Sequence, residues 1–255
     1  MIPPSMEPDF PIRFPESLPS RLEKCPIVEA IMEVRFLATE QWRNLPGLLF
    51  AKIRDRYPQQ TDLPLAQVPE QLRQQQPNLS TQPLMQFSNA QFTINFGPRV
   101  VGLVTKTNSY PGWDLFSKEM AWLIDCLKET AFIQEGERLG VRYINFFEED
   151  LLSNLVLETQ VAGNPLLGSE MLLSFGLRKE PFVVRLQVIK GAIGNFEKVP
   201  KLGNVLDVEV WLGSNDFDLF DNGMDRFSEG HTLAKQIFFG LLKDDFLINL
   251  KPTYP

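Results

Sequence analysis

Two short stretches place ionisable groups where a sheet could present them together. In CPIVEAIMEVRF, Glu29, Glu33 and Arg35 interrupt an aliphatic run, and in RLGVRYINFF, Arg138, Arg142, Tyr143 and Asn145 do the same. Carboxylates beside guanidinium groups can bind a polar ligand, move a proton, or close ion pairs with one another. In an extended chain, Val28, Ala30, Met32, Val34 and Phe36 point one way, while Ile27, Glu29, Ile31, Glu33 and Arg35 point the other. That is the pattern of a strand covered on one face, so the charges lie off the core. If the two stretches are neighbouring strands, Glu29, Glu33 and Arg35 face Arg138 and Arg142. Each exposed pair of opposite charge then contributes about 0.2–1 kcal/mol to the register. The competing reading makes this face a polar floor that binds something, with Glu29, Glu33, Arg35, Arg138, Arg142, Tyr143 and Asn145 as the binding residues.

Other chemistries lack parts. His231 is the only histidine, which excludes a multi-histidine metal site and makes His231 the one imidazole that could serve a serine or cysteine nucleophile as base, which disfavours such a hydrolase. Its place among apolar helical positions reads as an ordinary packed or boundary residue. Cys25 and Cys126 have no CxxC or CxxH spacing, and neither combines a neighbouring cation with a helix start, so both read as buried filler in a reducing cytoplasm. No GxxxxGK[ST] or GxGxxG stands between a strand and a helix. Asp216, Asp218, Asp221 and Asp225 suggest a calcium loop, but Phe217, Leu219 and Phe220 interrupt the alternation and no glutamate closes it. An acidic approach to a helix N-terminus accounts for them. Glu148, Glu149 and Asp150 are adjacent at a strand end, point in opposite directions, and mark a solvated exit rather than an acid and base pair. No catalytic residue, cofactor or metal ligand is therefore assigned.

With 25 Lys and Arg against 32 Asp and Glu, the net charge of −7 opposes attraction to nucleic acid or an anionic membrane. The N-terminal stretch has no basic start followed by an apolar run, and no apolar segment is long enough to span a bilayer. These features point to the cytoplasm and away from membranes.

The elements that would position the charges can be read from period and punctuation. Residues 1–24 form a Pro-rich extended arm, either disordered or draped over the body through Phe10, Ile12 and Phe14. Residues 25–255 read as one α+β domain. Trp42, Leu45, Leu49, Ile53 and Tyr57 make a helical stripe ending before Pro58. Residues 58–83, rich in Pro and Gln, read as a mobile loop and a candidate contact surface. Two or three strands follow, turning at Ser88-Asn89 and Gly97-Pro98. A helix from 113 comes next, with Asp114 as its cap and Phe116, Met120, Leu123 and Leu127 on one face. A second series runs through a strand at 138–147, two strands within 171–191 joined by a Lys179 to Pro181 turn, and a strand at 204–213 to a closing helix over 224–246. That helix sets Phe227, His231, Ala234, Phe238 and Leu241 near one face.

Both series run strand, connection, antiparallel strands, helix. The first strands, from 27 and 138, and the closing helices, from 113 and 224, are separated by the same interval. This spacing predicts two pseudo-repeated halves, 25–135 and 136–255, forming a curved, mainly antiparallel sheet with helices on one face.

CPIVEAIMEVRF, ERLGVRYINFF and the late helix carrying His231 together resemble an uncharacterised, sporadically distributed family of bacterial and archaeal proteins of similar length. The matching residues are Pro26, Glu29, Arg35, Arg138, Gly140, Arg142, Tyr143 and Asn145. The resemblance implies no activity. Sporadic occurrence implies horizontal transfer and is compatible with a mobile or defence-linked accessory role. The expected function is thus a non-enzymatic cytoplasmic binding or accessory protein acting through a partner protein. The alternatives are an enzyme or a nucleic-acid-binding or processing factor using the polar sheet face, and a small-ligand sensor with a cavity between sheet and helices.

Overall fold

The computed structural model describes residues 10–39, 42–165, 168, 170–196 and 199–255. Residues 1–9 of the expected arm and the side chain of Trp42 lie outside the described residues. The rest of the arm holds a short strand, β1 (Arg21–Leu22), and leads into β2 (Ile27–Ala38). Along β2 the alternation becomes burial: Ala30, Met32, Val34 and Phe36 are fully buried, while Glu29, Ile31, Glu33 and Arg35 are half-buried on the other face.

Helix α1 (Leu45–Ile53) buries Leu45, Leu49 and Ile53, and Tyr57 beyond its end is buried as well. Residues 58–83, expected as a loop, contain strand β3 (Gln59–Asp62) and the short helices α2 (Glu70–Gln74) and α3 (Pro77–Ser80). Every residue of β3 is exposed, so no apolar alternation marks it in the sequence. Its pairing with β4 (Met85–Ser88) makes it a strand, Gln59 lying opposite Ser88. β5 (Phe92–Gly97) and β6 (Val100–Thr105) follow. Helix α4 (Trp113–Lys128) then buries Phe116, Met120, Leu123 and Leu127. Asp114 does not cap this helix. Gly112 holds the N-cap at φ 96°, a left-handed conformation suited to glycine, and no side chain caps it. Asp114 sits instead in the first turn, where the positive end of the helix favours a carboxylate.

β7 (Ile133–Phe147) begins before its motif, and a small hairpin of β8 (Gln160–Val161) and β9 (Asn164–Pro165) interrupts the connection after it. β10 (Met171–Lys179), β11 (Phe182–Phe196) and β12 (Val199–Gly213) form a meander. Helix α5 (Gly223–Leu241) ends earlier than expected. Leu242 is extended, with φ −81° and ψ 138°, because it bridges Leu155. After this break come α6 (Asp244–Asn249) and β13 (Pro252–Thr253), and β13 pairs with β1.

Among the described residues, one nine-stranded antiparallel sheet runs in the order β10-β11-β12-β7-β2-β6-β5-β4-β3. Its apolar face carries the core against α1, α4 and α5, which makes the fold α+β with helices on one face. β2 and β7 are the central neighbours, with Ile31 opposite Arg142. Strand order alone does not establish the expected repeat, because the flank beyond β2 has four strands and that beyond β7 three. The arm lies against the body: Phe10, Ile12, Phe14, Leu18 and Leu22 pack on the core. Gly240 permits this approach, since a Cβ there would collide with the Arg13 carbonyl. Among the described residues no helix is long and apolar enough to cross a membrane.

The seat of α5 on the sheet can be tested at Gly230. A Cβ there would lie 3.5 Å from Phe182, 3.6 Å from Val141 and 3.9 Å from Val210, which is ordinary contact. Gly230→Ala is expected to stabilise by up to about 1 kcal/mol through helix propensity. Gly230→Leu should destabilise by about 1–3 kcal/mol by forcing the helix off the sheet. Urea unfolding of both variants reads the two signs.

Candidate functional site

β7 presents alternate residues to opposite faces, and its motif therefore serves two sites. On the open face, Arg138 donates from Nη1 to Glu33 Oε1 at 3.0 Å and from Nη2 to Glu209 Oε1 at 2.5 Å. Arg35 Nε also donates to Glu33, at 2.9 Å, and Arg185 pairs with Glu209 at 2.5 Å. A continuous ladder results, Arg35–Glu33–Arg138–Glu209–Arg185, spanning β2, β7, β12 and β11. Beside it Arg142 grips Asp207 with both ends of its fork, Nε to Oδ1 at 2.8 Å and Nη2 to Oδ2 at 2.5 Å. The hydrogen bond to Asp207 holds the Arg142 pKa above its ordinary value.

Register explains why this geometry is diagonal. Arg35 stands directly opposite Arg138, a like-charge pair, and Glu33 stands opposite Gly140. The Arg138 side chain lies back over Gly140, where a Cβ would meet its Nη1 at 3.4 Å and Trp211 Cβ at 2.9 Å. From there its guanidinium reaches Glu33 on one side and stacks 4.8 Å over the Trp211 ring on the other. Glu29 is opposite Ile144 and Arg142 opposite Ile31, so the expected direct Glu29–Arg142 facing does not occur. Burial raises the Glu29 pKa, and the Arg142 charge lowers it by less. Sequence reasoning missed Asp207, Glu209 and Arg185, although the alternation of LDVEVW had placed both acids on one face of a strand.

Tyr143 and Asn145 do not join these charges, since they point to the helix-covered face. Asn145 is buried and donates from Nδ2 to the Leu206 carbonyl at 3.0 Å. Tyr143 places its hydroxyl 2.8 Å from His231 Nδ1. The His231 ring stacks on Trp113 with centroids 4.1 Å apart and planes 5° from parallel. Tyr110 meets Tyr143 edge-on at 5.8 Å.

This aromatic group belongs to a cleft of about 830 Å³. Its walls are the arm around 19–27, the approach to α4 around 110–115, and α5 from His231 to Phe239, with Tyr143, Asn145 and Val208 contributed by the sheet. His231 is packed, as an ordinary core histidine would be, yet it also belongs to this wall. Burial first, and the Lys235 charge second, lower its pKa from 6.5 to about 4, so the imidazole is neutral at physiological pH. Burial raises the pKa of Tyr143 and Tyr110 and lowers that of Lys235. Cys126 is buried, whereas Cys25, expected in the core, is exposed and lines the cleft. The sequence signals for this site were a lone histidine and the YPGW segment; neither shows on its own that α4 and α5 bring them together. The chain matches no known family model and no curated protein.

Two outcomes follow from these geometries. Arg138→Met leaves Glu33 and Glu209 without their shared partner and should cost about 1–3 kcal/mol in urea unfolding. For His231, the folded pKa lies below the unfolded one, so its contribution is complete above pH 6.5 and declines as the pH falls toward about 4. Between pH 6.5 and about 5, the wild type should lose about 1–2 kcal/mol from this group, and His231→Phe should remove that slope.

Proposed function

We propose that this is a non-enzymatic binding protein of the cytoplasm whose ligand is a small molecule held in the cleft over Tyr143 and His231. The observation that carries this reading is the cleft itself. Its volume of about 830 Å³ lies in the range of small-molecule sites, and it combines aromatic walls with a few polar groups. The ladder on the other face supports a structural role for Glu33, Arg35, Arg138 and Arg142. Their charges are neutralised within the sheet, which weakens the enzyme and nucleic-acid readings of that face.

A second reading, contact with a partner protein, is favoured by the far end of the β11–β12 hairpin. Ile193 and Leu202 oppose each other there and stay 70% and 71% exposed. An accessory protein of the expected kind would couple the two, taking a ligand in the cleft and presenting this end to its partner.

A fragment screen by thermal shift tests the cleft. Saturation at about a hundred times Kd stabilises by about 2.7 kcal/mol, which for a chain of this size raises Tm by roughly 5–10 °C. The hits should lose most of that shift in His231→Phe and keep it in Leu172→Ser, a change at an exposed position away from the cleft. Hits that stabilise both variants equally would place binding elsewhere.

A further inference from the structure

We propose that the ligand of this cleft is an amphipathic organic anion, with an apolar or aromatic body and one negatively charged head that pairs with Lys235. The proposal rests on the cleft being the binding site. Lys235 follows His231 by one helical turn, so both lie on the same face of α5 and line the same cavity. Arg35, Arg138, Arg142 and Arg185 all have carboxylate partners on the sheet. Lys235 has neither an ion-pair nor a hydrogen-bond partner among the described residues, although it is partly withdrawn from water. A cation held this way is short of compensation, and an incoming anion supplies it through a charge-assisted hydrogen bond.

Acids on the cleft wall do not fill the role. Glu23 is held by Lys251 at 2.5 Å, and Asp114 is exposed and makes no ion pair with Lys235. His231 adds a neutral contact. Its Nδ1 is engaged by Tyr143, and the ring as a whole lines the cavity. Trp113, Tyr110, Phe238 and Phe239 provide the apolar wall against which the body would lie. The head thus goes to Lys235, and the body to the rings.

Two dyes that share an aromatic framework and differ in charge test this: anilinonaphthalene sulfonate, an anion, and phenylnaphthylamine, which is neutral. Both are titrated by fluorescence into the full chain and into Lys235→Met, whose folding is checked by its thermal midpoint. Wild type should bind the sulfonate at one site and prefer it to the neutral dye. Lys235→Met should weaken the sulfonate roughly ten- to hundredfold and leave phenylnaphthylamine unchanged. Equal binding of the two dyes, unaffected by Lys235→Met, would overturn the anionic class while leaving the cleft as a site. Failure of both dyes to bind the wild type would overturn the anion and the cleft together.

Discussion

One guanidinium ties the centre of this sheet. Arg138 projects from β7, lies flat over Gly140, and joins Glu33 of β2 to Glu209 of β12, the strands on either side. Three strands are thereby held in one register on the face that no helix covers. Gly140 keeps the strands close here: a Cβ would press on Trp211 Cβ at 2.9 Å and the Val210 carbonyl at 3.2 Å, with the Arg138 guanidinium just beyond at 3.4 Å. The ladder also accommodates an unfavourable pairing, since Arg35 and Arg138 are directly opposite and Glu33 between them accepts from both. These groups are only partly buried, so their value lies more in choosing the register than in total stability.

Because successive side chains alternate, fixing the register on the open face also fixes what the covered face presents. Arg142 on one side and Tyr143 on the other are consecutive residues with separate tasks. Arg142 clasps Asp207, and Tyr143 orients the His231 ring at the floor of the cleft. Slipping β7 by one residue would exchange the faces, putting Arg142 into the core and Tyr143 into water. The site therefore depends on a ladder that it never touches. Its walls come from remote segments: the arm is clipped in place by β1 pairing with β13, and α5 sits close over β7 and β12.

RLGVRYIN can be accounted for residue by residue in these terms. Arg138 ties the strands, Leu139 and Val141 enter the core, Gly140 leaves room for Trp211 of the neighbouring strand, and Arg142 holds Asp207. Tyr143 bonds His231, and Asn145 satisfies the Leu206 carbonyl where the sheet is buried. The motif combines one role in pairing and one in the cleft, which is why reading all its polar residues as a single site misplaces Tyr143 and Asn145.

A local period in the sequence specifies only those elements whose burial repeats along one segment. Alternation in β2 marked that strand and the face of each of its residues, and the spacing of Phe116, Met120, Leu123 and Leu127 marked α4 and its buried side. Signals of that kind fail where pairing rather than burial makes the element. β3 has no apolar residue facing the core, and the end of α5 is set by a bridge from Leu155. Tertiary structure alone decided that Asp207, Glu209 and Arg185 complete the ladder, and that Trp113, His231 and Lys235 meet around one cavity. Those contacts join residues far apart in the chain, and no local pattern records which strands and helices become neighbours once the apolar face of the sheet is covered.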